Sequence, residues 1–159
     1  MHILMVEDDS ILAQFVRQSL GSDGLVVEIA SDSAEGRRKL GVQSYELVIL
    51  DLGLESSGGM EVLQQVRATK PSPLTLVLSG ASGVEERIRC LEAGADDFMT
   101  KPFSVAELSA RIRALFRRMN GPTKAVLKVE DLELDRIERT VRRGGYSIDL
   151  SSKEFALLD

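Results

Sequence analysis

Acidic side chains follow the first and third of five short apolar runs in the chain, at the point where each run ends. Glu7 and Asp8 come after residues 3–6, and Asp51 comes after residues 47–50. If the runs form parallel strands, their carboxyl ends meet at the edge of the sheet where the strand order reverses. Two like charges about 4 Å apart repel by roughly 4 kcal/mol at an effective dielectric constant of about 20, so such a cluster needs a cation or a proton. Oxygen ligands favour a hard divalent ion, and the sequence therefore predicts a Mg²⁺ site for phosphate chemistry.

Two more side chains that suit phosphate chemistry follow the fourth and fifth runs. Ser79 can donate a hydroxyl hydrogen bond, and the small residues Gly80 and Ala81 leave space beside it. Lys101, which precedes Pro102, supplies a positive charge suited to an anion. A nucleophilic carboxylate, a metal, a hydroxyl and an ammonium group are sufficient to transfer a phosphoryl group onto an aspartate. Simpler interpretations exist, because a serine at a strand end often bonds only the backbone and a lysine there usually faces solvent.

The elements that would position these residues alternate over residues 1–118. Each short apolar run is followed by a segment of helical period, which is typical of βα units around a parallel sheet. We therefore predict an α/β protein with a flavodoxin-like five-stranded parallel sheet, in the order 2-1-3-4-5, and helices on both faces. The predicted strands are residues 3–6, 25–30, 47–50, 74–78 and 97–100.

Helical periodicity is clearest after the first and the fifth predicted strand. The first helix is expected to end at Gly21. Asp9, which precedes Ser10, suits either the acidic cluster or the N-cap of that helix. The apolar positions are Ile11, Leu12, Phe15, Val16 and Leu20 in the first helix, and Val105, Leu108, Ile112, Leu115 and Phe116 in the last.

The chain changes character after a polar Gly-Pro segment at residues 119–124, which we predict to be a linker. Alternating apolar residues beyond it predict a small antiparallel sheet, with strands at 125–129, 132–134, 140–142 and 146–150. Ser151 or Ser152 is expected to cap a final helix, with Glu154 placed for a capping box.

Composition narrows the class of protein. Apolar residues make up 43% of the 159 residues, charged residues make up 28%, and the net charge is −5. Residues 1–118 hold 13 Lys/Arg against 17 Asp/Glu, and residues 119–159 hold 7 against 8, so neither part has the basic excess of a nucleic-acid interface.

Cys90 is the only cysteine, which excludes an intrachain disulfide and a cysteine zinc site. With no secretory signal at the start and no membrane-length apolar run, we expect a cytoplasmic protein without membrane contact.

The first 118 residues resemble a response regulator receiver domain. Five motifs occur in the order and spacing of that family, namely MVEDD, VILDLGL, LSGAS, EAGADDFMTKPF and VAELSARIRALFRR. The resemblance implies that Asp51 is the phosphoacceptor, and that Glu7 and Asp8 bind Mg²⁺ together with Asp51 and the backbone carbonyl of Gly53. It further implies a sensor histidine kinase as the phosphodonor.

The resemblance also assigns roles around the acidic cluster. Ser79 and Lys101 would contact the phosphoryl group, and Ser79 and Phe98 would be the switch residues. An aromatic residue in this position is more often part of the core, although both roles are compatible if its ring has two rotamers. His2 is expected at the surface, and Cys90 is expected to pack in a helix without redox chemistry.

A branch of the family, the OmpR/PhoB type, carries a winged-helix effector and dimerises through its fourth helix, fifth strand and fifth helix. Residues 125–159 resemble the first part of that effector, without its recognition helix, so we expect DNA binding only in a longer form. Glu107 and Arg111 can alternatively pair with each other, since they lie four residues apart on one helix. The charged residues that match the dimer surface are Arg87, Asp96, Asp97, Glu107, Arg111 and Arg118.

The resulting hypothesis is a phosphorylation-activated response regulator that forms homodimers, controls transcription in its longer form and is not a dedicated enzyme. A stand-alone receiver that acts through protein contacts is one alternative. A Mg²⁺-dependent phosphohydrolase is another, but it would need an acid two residues after its nucleophile, where Gly53 stands. The sequence departs from the family at Glu55, a position that is commonly proline, and this charge is expected to weaken Mg²⁺ binding or change the lifetime of the phosphoryl group.

Overall fold

The computed structural model describes residues 1–54, 58–80, 83–135 and 137–158, and for residues 120–125, 152 and 156 it describes the backbone only. Glu55 therefore lies outside the described residues. No described helix combines the length and the apolar character needed to cross a membrane. The elements in chain order are β1 (His2–Val6), α1 (Ser10–Ser22), β2 (Val26–Ala30), α2 (Ser33–Val42), β3 (Leu47–Asp51), α3 (Gly58–Ala68), β4 (Leu74–Ser79), α4 (Val84–Glu92), β5 (Asp97–Thr100), α5 (Val105–Ala125), β6 (Val126–Val129), β7 (Leu132–Asp135), β8 (Thr140–Arg143), β9 (Tyr146–Ile148) and α6 (Ser152–Leu158).

The first five strands form one parallel sheet in the order β2-β1-β3-β4-β5, which confirms the predicted topology. Strand β1 pairs with β3 so that Val6 lies beside Leu50, and β3 pairs with β4 so that Asp51 lies beside Leu78. Every residue of β3 is buried, as expected of a central parallel strand that is covered on both faces. The carboxyl ends of β1, β3 and β4 therefore lie side by side.

The helix α1 buries only part of the apolar stripe that the sequence predicts. Its buried residues are Ala13, Val16 and Leu20, whereas Ile11 and Phe15 are 82% and 56% exposed. Helical spacing identified an apolar stripe on this helix but not which of its edges packs inward. Ile11 and Phe15 therefore lie on the predicted helix but outside its buried face.

The end of α1 also lies beyond Gly21, because the turn is made by a later glycine. Gly24 adopts a φ of 74°, a left-handed conformation that favours glycine. Its amide donates to the carbonyl of Gly21, and the amide of Leu25 donates to the carbonyl of Leu20. This pair of hydrogen bonds is the Schellman motif that closes helices.

The core of the first compact unit, Met1–Glu107, contains alternate residues of the central strands together with residues of the surrounding helices. Cys90 on α4 is fully buried in this core, as the sequence predicted. Phe98 on β5 is also buried there, with 4% exposure. The members of this cluster on the strands are Leu4, Val6, Ala30, Val48, Leu50, Val77 and Phe98.

The second compact unit, Leu108–Asp159, contains the predicted antiparallel sheet, in the order β6-β7-β8-β9. Its strand ends fall within two residues of the predicted ones. Leu134, Val141 and Phe155 form its small core. The capping box is confirmed with Ser151 as the cap, since the Ser151 amide and hydroxyl both donate to Glu154, at 2.9 and 2.7 Å.

Helix α5 carries the predicted apolar face, and Leu108, Ile112, Leu115 and Phe116 on it are buried. The backbone of α5 remains helical through residues 119–124, where the sequence predicted a linker. The assignment of residues 1–118, 119–124 and 125–159 to a receiver, a linker and an effector portion stays a prediction.

Candidate functional site

Three acidic residues meet at the carboxyl edge of the parallel sheet. Glu7 directly follows β1, Asp8 comes next, and Asp51 is the last residue of β3. Each of them offers a carboxylate oxygen, and these oxygens all lie within 4.8 Å of one another. Glu7 and Asp51 are only 1% and 5% exposed, while Asp8 is exposed. The sequence predicted this convergence from the strand order alone.

Lys101 is the positive charge within this cluster. Its ammonium lies 2.9 and 2.7 Å from the two carboxylate oxygens of Glu7, and 2.9 Å from Oδ2 of Asp51. Lys101 follows β5, and its backbone amide donates to the carbonyl of Ser79 at 2.8 Å. The structure thus brings Lys101 to the edge that the sequence predicted, and ties its backbone to the end of β4.

The pKa values in the cluster reflect burial and charge pairing. Burial raises the pKa of the Glu7 carboxyl, and the neighbouring charge of Asp51 adds to this, against the opposing effect of Lys101. Burial alone would lower the pKa of Lys101, but its hydrogen bonds to Asp51 and Glu7 outweigh that effect and raise the pKa. One ammonium group therefore neutralises only part of a site with three carboxylates, and the site favours a further cation.

The backbone around Asp51 approaches its carboxylate closely. The amide of Gly53 donates to Oδ1 of Asp51 at 2.9 Å, and a Cβ at Gly53 would lie 3.3 Å from both carboxylate oxygens. On the other side, α3 begins with Gly58 and Gly59, and a Cβ at Gly59 would come within 2.9 Å of the Asp51 carbonyl oxygen. The start of α3 is therefore in direct contact with the backbone of Asp51.

Ser79 ends β4 next to the acidic cluster and is 3% exposed. Its hydroxyl donates to Oε2 of Glu86 at 2.7 Å. The sequence prediction placed Ser79 correctly at the edge but did not identify Glu86. A signal was available, because Glu86 lies in the first turn of a predicted helix that follows Ser79 by a few residues. Ala81 lies outside the described residues.

Asp9 and Phe98 have simpler surroundings. Asp9 is the N-cap of α1, since its Oδ1 accepts from the amides of Ile11 and Leu12 at 2.9 and 3.0 Å. Of the two roles considered for Asp9, the structure favours the cap.

The ring of Phe98 lies in the core, and its role as a switch stays a prediction. His2 is exposed and lies away from the acidic cluster, near Gln43.

The six residues that match a dimer surface lie on α4, β5 and α5 or directly before β5. Arg87 and Arg118 are exposed. Asp96 is held within the molecule, because its Oδ2 accepts from the Nη2 of Arg67 and from the amide of Thr75, both at 2.8 Å. No local sequence pattern indicates this partnership, which joins α3 to the residues before β5. The dimer surface itself stays a prediction.

A comparison with protein families identifies the first two thirds of the chain. The profile of the response regulator receiver domain matches residues 3–113. This range includes the acidic cluster, Ser79 and Lys101.

Curated relatives match over nearly the full chain. The probable transcriptional regulatory protein SilR of Salmonella typhimurium is 40% identical over 160 residues, covering 100% of this chain and 70% of SilR. The response regulator MprA of Mycobacterium sp. strain KMS is 41% identical, covering 99% of this chain and 70% of MprA. The cell cycle response regulator CtrA of Brucella ovis is 38% identical, covering 100% of this chain and 68% of CtrA.

Solved structures agree with this grouping. DrrB of Thermotoga maritima, described as an OmpR/PhoB homologue, is 30% identical with a TM-score of 0.66, and the match covers 99% of this chain and 70% of DrrB. The receiver domain of response regulator 1452 of Francisella is 28% identical with a TM-score of 0.69, covering 74% of this chain and 98% of that domain. Among these relatives, SilR is named a probable transcriptional regulatory protein and DrrB an OmpR/PhoB homologue. With its acidic cluster at the edge of a flavodoxin-like sheet, this chain belongs to the response regulator receiver family of two-component systems.

Proposed function

We propose that the chain is a cytoplasmic response regulator that accepts a phosphoryl group on Asp51 from a sensor histidine kinase. The observation that carries the proposal is the setting of the Asp51 carboxylate, with Oδ2 on the Lys101 ammonium and Oδ1 on the Gly53 amide. These two hydrogen bonds hold the Asp51 carboxylate in place at the sheet edge, next to two further acids. The match to the receiver family supports a sensor histidine kinase as the phosphodonor, as the resemblance implies.

The residues of the site fit a bound Mg²⁺ ion. Glu7, Asp8 and Asp51 supply hard oxygen ligands within 4.8 Å of one another, a set that suits Mg²⁺ better than a softer metal. The resemblance adds the backbone carbonyl of Gly53 as a fourth ligand. When bound, Mg²⁺ would offset the negative charge of the acceptor and of the incoming phosphoryl group.

The side chains would divide the work of phosphoryl transfer. A carboxylate oxygen of Asp51 forms the new P–O bond as the P–N bond of the kinase phosphohistidine breaks, and the histidine nitrogen keeps the electron pair and takes up a proton. Lys101 stabilises the charge on the phosphoryl oxygens, and Ser79 donates a hydrogen bond to one of them. Gly53 leaves the space beside Asp51 open, and provides no second acid for a dedicated phosphohydrolase.

Phosphorylation would then act on assembly and transcription. We propose that Ser79 and Phe98 couple the modified site to α4, β5 and α5, whose charged residues form a homodimer surface. In longer forms with a complete winged-helix effector, the dimer would bind DNA, as the transcriptional role of the relatives suggests.

Treatment with acetyl phosphate and Mg²⁺ tests the assignment of Asp51. The intact mass of the native chain should rise by one phosphoryl group, and this rise should be absent from Asp51→Asn. Asp9→Asn is a matched control, because it removes the same charge at the residue next to Asp8 and keeps a helix-capping side chain. An unmodified native chain, or a modified Asp51→Asn chain, would contradict the proposal.

A further inference from the structure

The Ser79 hydroxyl is already engaged in the unmodified protein. Ser79 is 3% exposed, and a buried hydroxyl needs an acceptor for its proton. It donates to Oε2 of Glu86 at 2.7 Å, so the acceptor lies on α4 rather than on a neighbouring strand. A hydroxyl has one proton to donate. Ser79 therefore cannot donate to Glu86 and to a phosphoryl oxygen on Asp51 at the same time.

The acceptor on α4 is charged and is itself supported. The Glu86 side chain is 24% exposed, and its second oxygen, Oε1, lies 3.8 Å from the Nη2 of Arg89 one helical turn later. Hydrogen bonds to a charged acceptor are shorter and stronger than neutral ones. The hydrogen bond from Ser79 to Glu86 is therefore stronger than one between two neutral groups.

We propose that Glu86 is a positioning residue that retains the Ser79 hydroxyl on α4 in the unmodified protein and competes for it with a phosphoryl group on Asp51. The proposal rests on the proposed function of Asp51 as the phosphoacceptor. Both competitors are negatively charged acceptors for one proton. Modification of Asp51 therefore transfers the Ser79 hydrogen bond and releases the first turn of α4 from the end of β4.

The contact lowers the affinity of the site for a phosphoryl group, because the competing hydrogen bond has to be broken on binding. When the unmodified protein lacks this hydrogen bond to a charged group, the bond no longer has to be broken on binding. The affinity for a phosphoryl group should then rise by about ten-fold. Glu86→Ala should therefore bind a phosphoryl mimic about ten-fold more tightly than the native chain does. Glu86→Gln, which keeps a neutral acceptor, should show a smaller gain.

Titration of the full chain with beryllofluoride in Mg²⁺, followed by fluorine NMR, measures this affinity. Glu85→Gln is a matched control, because it makes the same charge change at the exposed neighbouring position on α4. Its affinity should remain within two-fold of the native value, as expected for a screened surface charge. Equal affinities of native, Glu86→Ala and Glu86→Gln chains would overturn the proposal.

A double-mutant cycle separates positioning from simple charge repulsion. In a Ser79→Ala chain, which has no hydroxyl to retain, a further Glu86→Ala should leave the affinity unchanged. An undiminished gain in that background would overturn the proposal, because Glu86 would then act by its charge alone. Should Glu86→Ala fail to fold by circular dichroism, Glu86→Gln in both backgrounds decides between these outcomes.

The same titration distinguishes this proposal from the proposed function. Binding that depends on Asp51 but not on Glu86 would contradict the positioning role only. Binding that is equal in native and Asp51→Asn chains, or absent from the native chain, would contradict the phosphoacceptor role and with it the role of Glu86.

Discussion

The Lys101 ammonium contacts both carboxylate oxygens of Glu7, at 2.9 and 2.7 Å, across 94 residues of sequence. The Glu7 side chain is 1% exposed and that of Lys101 is 23% exposed, so water screens this pair poorly. Lys101 also contacts Asp51. The stability of the acidic cluster in the absence of metal therefore depends on this one lysine among the described residues.

Replacement of Lys101 by methionine should destabilise the protein in a manner that depends on Mg²⁺. Removal of one partner of a buried ion pair typically lowers the free energy of unfolding by about 3 kcal/mol, and we expect this loss in EDTA. Mg²⁺ should restore part of it, since a ligand of the native state stabilises that state. Urea unfolding followed by circular dichroism, with and without Mg²⁺, measures both effects.

Lys39→Met is the matched control for that experiment. Lys39 is also a paired lysine, with its Nζ 2.7 Å from Glu28, but it lies on α2 outside the acidic cluster. The loss of stability in the Lys39→Met variant should be the same with and without Mg²⁺. An equal Mg²⁺ response of the two variants would contradict the prediction.

Gly53→Ala should slow phosphorylation of Asp51 without unfolding the protein. The added Cβ would lie 3.3 Å from both Asp51 oxygens, which is tighter than an ordinary van der Waals contact and narrows access to the carboxylate. We expect a decrease of about ten-fold in the rate with acetyl phosphate, measured by intact mass. Gly41→Ala on α2 is the control, since a Cβ there meets nothing within 4 Å; an equal effect of both substitutions would refute the crowding argument.

Glu28→Gln should reduce stability near neutral pH but not in acid. Hydrogen bonds from Lys39 and Tyr45 lower the pKa of Glu28 from its usual 4.5. A carboxyl with a lowered pKa in the folded state adds stability above its unfolded pKa, and that stability is lost as the pH falls through the folded pKa. Because the Glu28 side chain is 38% exposed, the difference near pH 7 should be about 1 kcal/mol or less.

Urea unfolding at several pH values tests this dependence. The chain has no tryptophan, so circular dichroism is the suitable signal. The difference between native and Glu28→Gln chains should close as the pH falls below about 4. A constant difference across the range would argue against the ion pair as its source, and Glu92→Gln, an exposed substitution on α4, should show little difference at any pH.

Asp96→Ala should destabilise the single chain, whatever its effect on dimers. The substitution removes the acceptor for the Arg67 guanidinium and for the Thr75 amide. The Nε atom of Arg67 is already buried without a hydrogen-bond partner among the described residues, so we expect a cost of about 2 kcal/mol in the free energy of unfolding. Arg118→Ala, at an exposed position, should leave that free energy unchanged, and equal costs would show that Asp96 has no special structural role.

Beryllofluoride should raise the dimer population at low salt, and Arg111→Glu should abolish this rise. The family resemblance implies that Arg111 pairs with Asp97 of the second copy. The charge reversal would turn this attraction into a repulsion, which salt screens only weakly at low ionic strength. Sedimentation velocity measures the association state. Arg17→Glu makes the same charge reversal at an exposed position on α1, and a loss of dimers in that variant as well would indicate a non-specific charge effect.

Much of the fold could be predicted because the sequence repeats its signals at regular intervals. The buried run of β3 and the Ser151–Glu154 pair each involve only a few neighbouring residues, so local sequence patterns predict them directly. The same holds for Gly144 and Gly145, which form the turn between β8 and β9 with φ values of 57° and 84°. The convergence of Glu7, Asp8 and Asp51 followed from strand order, which restricts where strand ends can lie.

Contacts that depend on packing could not be predicted in this way. The periodicity of α1 does not distinguish Val16, which is buried, from Phe15, which is exposed. The contacts of Ser79 with Glu86 and of Asp96 with Arg67 depend on side-chain rotamers and on the placement of α4 and α3. No local pattern specifies those rotamers, because the alternatives have similar intrinsic energies.

The two glycines at the start of α3 allow tight packing on one side of the acceptor site. A Cβ at Gly58 would lie 2.4 Å from the Ser33 hydroxyl, and one at Gly59 would lie 2.9 Å from the Asp51 carbonyl oxygen. This close packing leaves little room for the start of α3 to move against β3 and the start of α2. The opposite side is linked differently, because there the Ser79 hydroxyl at the end of β4 meets Glu86 on α4 through a hydrogen bond that can be exchanged.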